Sequence, residues 1–506
     1  MSVPGFMLRG RVWLLSLAAA LLVWGLLVLR FDFTCDDAYI SFRYARHLAE
    51  GHGLRFNLGE SPPVEGYSNL LWVLWLALFQ RFGVDPAIVA RVSSIACGAA
   101  LIALATRVAV RRFALELPAA VAVALFLACL PPMSVWSTGG LETMAFALAV
   151  FATWERLAGD PDRPRGVQAG ACALAAALLR ADGALWATFA IVAAAVELRR
   201  SLRTLAVPLA ILALGEAGHL LWRHGYYGEW VPNTARVKAG LSAMRLERGF
   251  KYIASFGLEV LPLLLVPLLA LRANSRLALS CGIILVLAIG YSVFIGGDFM
   301  PMGRFLLPAM PFLAILLARI ASSPRGLALA GGCIVLAVLP SFDFHPIPLS
   351  VRERFHFRWN QDELESEVSM WRGMRDRADQ WKDLGRALAS NTSPGESIVL
   401  GNIGAVGYFT ELEIFDLFGL VDPEVARRDA PLVRASPGHD KRVTFEFFLS
   451  RRPTYLSAWL AAASSPPEAS LPPEWLELLR SARVELVRRP LGTRVGVELR
   501  LLRFRK

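Results

Sequence analysis

Asp36 and Asp37 stand side by side immediately after the first apolar run of the chain. Two adjacent carboxylates near lipid are costly unless something pairs or uses them. Neighbouring like charges also drive the two pKa values apart, which can hold one carboxylate ready as a general base. A second reading is local. Acids that open a helix stabilise its first turn by about 0.5–2 kcal/mol, and the residues after Asp37 read as a helix to Glu50. The sequence leaves base and cap both open. Arg43 lies six or seven residues on and could return to the same helix face as a partner.

Other residues with chemical potential lie in breaks between apolar runs. Gly296-Gly297-Asp298-Phe299-Met300-Pro301-Met302-Gly303-Arg304 is an irregular stretch, which at membrane depth is tolerated where it lines a polar cavity. The planar fork of Arg304 suits a phosphate, and a simple Asp298–Arg304 salt bridge is the plainer account. Arg180 and Asp182 occupy a turn between two very apolar segments, either paired with each other or lining a cavity. The loop 222–251 mixes cations and aromatics, including Tyr226, Tyr227, Asn233, Arg236 and Lys238. That mixture fits an anionic, sugar-bearing lipid headgroup or an ordinary interfacial girdle. Glu65, Tyr67 and Asn69 could bind sugar hydroxyls or merely start a helix, and His439 with Lys441 could contact phosphate or glycan. Asp36, Asp37, Glu142 and Asp298 could in principle hold a divalent metal, though no spacing demands one. No GxSxG elbow, P-loop or HExxH is present.

The elements that must position these residues are membrane helices. The 506-residue chain is 55% hydrophobic and only 19% charged, with mean hydropathy +0.47, too apolar for a soluble enzyme. Its net charge of +11 is concentrated before residue 341, where 29 Lys and Arg face 19 Asp and Glu, against 24 and 23 afterwards. A basic excess confined to the apolar part sets topology, so nucleic-acid binding is not expected. The run Val12–Leu29 reads as an uncleaved first helix with its N-terminus in the cytoplasm. Further runs at roughly 88–106, 117–132, 142–156, 168–179, 184–197, 203–221, 253–271, 277–295, 305–320 and 327–340 bring the total to about eleven spans. The odd count and the Arg-rich short loops place the tail outside. The expectation is therefore a polytopic α-helical protein of the inner (plasma) membrane. Residues 1–340 form the membrane domain, with a long external loop at 31–87 whose aromatic run Tyr67–Phe82 lies at the interface. Residues 341–506 form a C-terminal α/β domain in the periplasm or outside the cell, with a helix from Asp362 to Ala389 and strands at Ser397–Leu400, Ile414–Leu417, Thr454–Leu456 and Val495–Arg503.

The set Asp36-Asp37-Ala38-Tyr39-Ile40-Ser41-Phe42-Arg43-Tyr44-Ala45-Arg46, then Glu65-Gly66-Tyr67-Ser68-Asn69, resembles the GT-C superfamily of polyprenyl-phosphate-sugar-dependent glycosyltransferases. Within it the pattern is most similar to the mycobacterial terminal β-(1→2)-arabinofuranosyltransferase and its bacterial relatives. Tyr226-Tyr227-Gly228, Pro232-Asn233-Thr234, Gly297 to Phe305, Gly404 to Tyr408, Asp416 to Pro423 and Pro437-Gly438-His439 extend the match. The resemblance implies a GT-C-like fold that moves a sugar, arabinofuranose by the nearest pattern, from a polyprenyl-phosphate donor in the bilayer to a cell-envelope glycan acceptor. It implies Asp36 or Asp37 as catalytic base, and Arg304, Lys238, Arg43 and Arg236 as holders of the donor phosphate. Glu65, Tyr67, Asn69, Asn233, Asp298, Arg180, Asp182 and His439 would contact acceptor or sugar. No cofactor is required, and a divalent metal is compatible. A transporter or flippase of a lipid-linked sugar would share the spans and cations, but it needs no acidic pair in a long external loop and no sizeable external domain.

Overall fold

The computed structural model describes residues 3–158, 165–198, 202–238, 242–271, 275–359, 361–428, 443, 445–466, 471, 473–481, 483–491 and 496–505. Six helices are long and apolar enough to cross a membrane: Arg9–Arg30, Pro86–Phe113, Thr204–Tyr227, Arg276–Phe294, Arg304–Ala321 and Pro324–Phe342. The chain is a multi-pass membrane protein. The expected span at 253–271 is instead a bent pair, Ala243–Glu259 and Pro262–Ala270, which meet at 89° and would make a seventh crossing if counted as one. Pro262 marks that break, since proline has no backbone N–H to donate into a continuing helix.

The remaining expected spans are shorter than a bilayer. The windows at 117–132, 142–156, 168–179 and 184–197 fold as Leu117–Cys129, Thr143–Ala158, Gly166–Leu179 and Gly183–Leu198, of 13, 16, 14 and 16 residues. At 1.5 Å per residue these reach about 20–24 Å, against a hydrocarbon core of about 30 Å. Thr143–Ala158 lies within the bundle: Trp154, Phe146, Val150 and Phe151 are all buried. Apolarity reports burial as readily as lipid exposure, so composition alone counts such helices as spans.

The first loop folds as two helices. Asp36–Ala49 follows the first span after an extended stretch, and Leu70–Gln80 packs beside it. On the second helix Leu74, Trp75 and Leu78 are exposed while Trp72, Val73 and Leu76 are buried, as suits a helix lying at an interface.

The tail opens with the amphipathic helix Glu367–Asn391 and continues as a five-stranded sheet. Its strands are β1 (Ser397–Leu400), β2 (Glu413–Asp416), β3 (Tyr455–Ala462), β4 (Val484–Pro490) and β5 (Val497–Phe504). Their order is β2-β1-β3-β5-β4. β1 runs parallel to β2 and β3, whereas β5 is antiparallel to both β3 and β4. Strand β4 has no counterpart among the expected strands, because Arg488, Arg489 and Pro490 break its apolar pattern. Between β1 and β2 the short helix Ala405–Phe409 packs directly on Asp36–Ala49. The tail thus sits on the first loop rather than swinging clear of it.

Candidate active site

The Asp36–Ala49 helix begins after Cys35, which makes no side-chain cap, so neither aspartate is the N-cap. The Asp36 carboxylate reaches across to the tail, accepting the N–H of Ala405 at 2.7 Å and of Gly404 at 3.2 Å. Burial pushes its pKa up to about 7, with the neighbouring Asp37 adding to the rise. A Cβ on Gly404 would lie 2.1 Å from the Asp36 carbonyl oxygen, so only glycine allows this approach. Asp37 has no hydrogen-bond or ion-pair partner among the described residues, and its side chain opens into two cavities.

The first cavity, about 340 Å³, is the more polar of the two. Three arginines line it: Arg180, Arg245 and Arg304. Two of them are gripped by carboxylates in the same wall. Arg304 forms a fork with Asp298 at 2.7 and 3.2 Å, and Arg180 one with Asp182 at 2.8 and 3.1 Å. Asp182 also accepts from Trp186 Nε1 at 3.1 Å. Both guanidiniums lie over the ring of Phe305, at 5.2 Å for Arg180 and 5.1 Å for Arg304, so one aromatic side chain holds the two cations side by side. Elsewhere in the lining, Asn69 donates to Glu142 at 2.8 Å and exchanges hydrogen bonds with Ser41. Tyr67 lines the same cavity, its hydroxyl 3.1 Å from that of Tyr227.

The second cavity, about 570 Å³, is mainly apolar. Met370, Met374 and Trp381 of the tail helix form one side, Ile403, Phe418 and Leu420 another, and Phe299 and Met300 a third. Asp37, Ile40, Phe299 and Leu420 border both cavities. Asp37 therefore borders both a charge-rich chamber, with three arginines and four carboxylates in its lining, and an apolar one.

Of the residues singled out from sequence, the fold brings Asp37, Tyr67, Asn69, Arg180, Asp182, Asp298 and Arg304 into one cavity. It does not bring Arg43 there. Arg43 is buried, donating Nε to Phe56 O at 2.7 Å, Nη2 to Leu412 O at 3.0 Å and Nη1 to Gly407 O. A guanidinium with those three carbonyls is a strut between loop and tail, with no fork left for a phosphate. Arg236 pairs with Glu229 and lines a separate cleft. Glu65 lines that cleft too, held by Arg223 at 2.7 and 3.3 Å. Asn233 is spent on the carbonyls of Gly419 and Leu420, at 2.6 and 3.0 Å. The Lys238 side chain and His439 lie outside the described residues.

Sequence reasoning passed over Tyr291, took Glu142 only as a metal ligand, met Arg245 only as one cation of the 222–251 loop, and gave Ser41 and Thr234 no role of their own, though all five line the cavity. Tyr291 sits in an apolar helix with no neighbour that marks it. Among the described residues no group of three or more His, Cys, Asp and Glu side chains is arranged to hold a metal ion.

Residues 369–490 match the model of a domain of unknown function, DUF8728. No curated protein matches the chain. Among solved structures, the chain is similar to ArnT from Cupriavidus metallidurans bound to undecaprenyl phosphate, at 16% identity and a TM-score of 0.58, covering 99% of this chain and 98% of that one. The same ArnT in the apo state gives 15% identity and a TM-score of 0.57, with 97% of each chain covered. Arabinofuranosyltransferase AftD from Mycobacteria aligns at 17% identity and a TM-score of 0.44, over 96% of this chain and 41% of that one. The ArnT likeness runs end to end, membrane helices and tail alike, and the two chains share a fold.

Proposed function

We propose that this protein is a membrane glycosyltransferase of the GT-C type, moving a sugar from a polyprenyl-phosphate donor to a hydroxyl of a cell-envelope glycan. The observation that carries the reading is the Asp37 carboxylate, unpaired among the described residues at the passage between the two cavities. Transfer from a lipid phosphate needs a base on the acceptor hydroxyl and cations where phosphate charge develops. Asp37 supplies the first, and Arg304, Arg180 and Arg245 of the same cavity supply the second. The sugar phosphate then occupies the polar cavity and the acceptor reaches Asp37 through the apolar one. Asp36, tied to the 404–405 amides, acts as an anchor. That ArnT was captured with undecaprenyl phosphate supports the donor class. The first-loop pattern makes arabinofuranose the sugar of choice.

The same contact supports an external tail. Asp36 follows the end of the first span by six residues and bonds to the tail. The tail therefore shares a membrane face with Arg30, opposite Arg9, whatever the total number of crossings. With Met1 in the cytoplasm, a reporter fused after Lys506 reads out the external compartment, and a cytoplasmic signal defeats the arrangement.

The decisive experiment is single-turnover transfer from a panel of labelled polyprenyl-phosphate sugars to an envelope glycan by the purified protein. One sugar should transfer, and arabinofuranose is expected. Movement of the labelled lipid across a vesicle bilayer with no transfer would replace the enzyme with a flippase.

A further inference from the structure

The turn between the spans Arg276–Phe294 and Arg304–Ala321 carries both members of the Asp298–Arg304 pair, and it is conformationally demanding. Gly296, Gly297, Met302 and Gly303 all have positive φ, at 83°, 81°, 61° and 58°. For Met302, which carries a side chain, that backbone region is unfavourable and needs support from its surroundings. The support comes from three charged side chains that do not line the polar cavity. Arg248 donates Nε to Gly296 O at 2.9 Å, Arg358 donates Nε to Phe299 O at 3.2 Å, and Glu367 accepts the N–H of Met302. Arg358 and Glu367 are joined to each other at 3.0 Å. All three are buried, with 0%, 2% and 4% of their surface exposed.

Burying charge is unfavourable where apolar packing would fill the space as well. Here the charges meet backbone groups spaced along one turn, a task apolar side chains cannot perform. We propose that Arg248, Arg358 and Glu367 are positioning residues, which fix the 296–303 turn so that Arg304 and Asp298 stay aimed into the polar cavity. This rests on the donor phosphate occupying that cavity, as proposed above. The tail contributes two of the three. Glu367 is the first residue of the tail helix whose next turns, through Met370 and Met374, line the apolar cavity. One helix thus lines the apolar chamber and braces the turn beside the polar one, so the tail shapes the donor site beyond lining it with Leu420.

The test uses the full chain in nanodiscs, with two readouts: amide hydrogen exchange over residues 296–304, and affinity for undecaprenyl phosphate. Glu367→Ala should speed exchange in that segment while leaving the remaining membrane helices protected. It should also weaken undecaprenyl-phosphate binding by roughly 10- to 100-fold, the scale of effect that a small misplacement of binding groups produces. Glu367→Gln keeps an oxygen for the Met302 N–H and should recover most of the protection. If Glu367→Ala does not fold, Arg358→Lys carries both readouts, since it keeps the charge beside Glu367 but loses the fork. Unchanged exchange over 296–304, a uniform rise throughout the chain, or faster exchange with undiminished binding each overturns the proposal. A wild-type protein that ignores undecaprenyl phosphate removes the donor assignment instead, and the exchange comparison still decides whether the turn is clamped.

Discussion

The two adjacent aspartates should separate cleanly under one isosteric change. In Asp37→Asn the altered group has no partner to lose among the described residues, so the melting temperature should barely move, as for a substitution that breaks no packed contact, within about 0.5 kcal/mol. The base, however, is gone. An amide cannot take the acceptor proton, and transfer should fall by roughly 100-fold or more, equivalent to about 2.7 kcal/mol of barrier. In Asp36→Asn the balance reverses. The carboxylate accepts two N–H bonds from the tail, at 2.7 and 3.2 Å. The amide keeps one acceptor oxygen and turns an NH2 toward the other N–H. Losing one charge-assisted bond costs about 1.5–3 kcal/mol. Gly404 is already against the Asp36 backbone, so it cannot shift to accommodate the change. Asp36→Asn should therefore melt earlier yet keep transfer within about tenfold of wild type, a barrier change under about 1.4 kcal/mol. Single-turnover transfer and thermal melting on the same preparations decide it. An inactive Asp36→Asn with unaltered melting, or an active Asp37→Asn, would refute the assignment.

Three further outcomes follow from the same geometry. Arg304→Ala leaves Asp298 buried without its partner and should destabilise by about 3–5 kcal/mol; adding Asp298→Asn should restore melting but not undecaprenyl-phosphate binding, measured by titration in nanodiscs. Arg43→Ala removes two bonds between the first loop and the tail and one within the loop and should lose at least about 2 kcal/mol of stability, while the folded fraction binds undecaprenyl phosphate as wild type does. Burial holds Asp36 and Glu60 up at about 7 and Asp416 at about 6. The folded chain therefore keeps protons that the unfolded chain releases near pH 4. These groups favour folding fully below that pH, and the benefit is lost as pH rises through 6–7. Melting temperature should fall between pH 5 and pH 8, with a shallower slope in Asp36→Asn.

What could be read from the sequence was whatever announces itself within a few residues. Asp36-Asp37, the Gly-rich break before Arg304 and the Arg180–Asp182 turn each stand out against apolar flanks, and all but Asp36 line the polar cavity. What could not be read depends on distant partners. Arg43 looks like a free cation until the fold sets Gly407 O and Leu412 O against it from 364 and 369 residues away. Asp36 and Asp37 are indistinguishable as neighbours, and successive helical positions point about 100° apart, so Asp36 bonds the tail amides and borders only the apolar cavity, while Asp37 borders both. Tyr291 carries no local signature because a polar residue in an apolar helix resembles an interruption until its partner is seen, and Glu142, just ahead of Thr143–Ala158, shows its bond to Asn69 only in the fold.

The separation of the two aspartates also explains why this chain needs its tail pressed onto the first loop. A lone carboxylate lining a cavity with three arginines would be drawn to them, and a base paired with a cation is a weaker base. Asp182 and Asp298 already neutralise Arg180 and Arg304 locally, and Asp36 is drawn off by the tail amides. Asp37 is left as the carboxylate between the cavities with no assigned partner among the described residues. If the Gly404–Ala405 anchor were loosened, Asp36 would become a second carboxylate facing the same passage, and the pair would compete for one proton. The anchor therefore does more than hold the tail: it keeps a single base at the point where the two chambers meet.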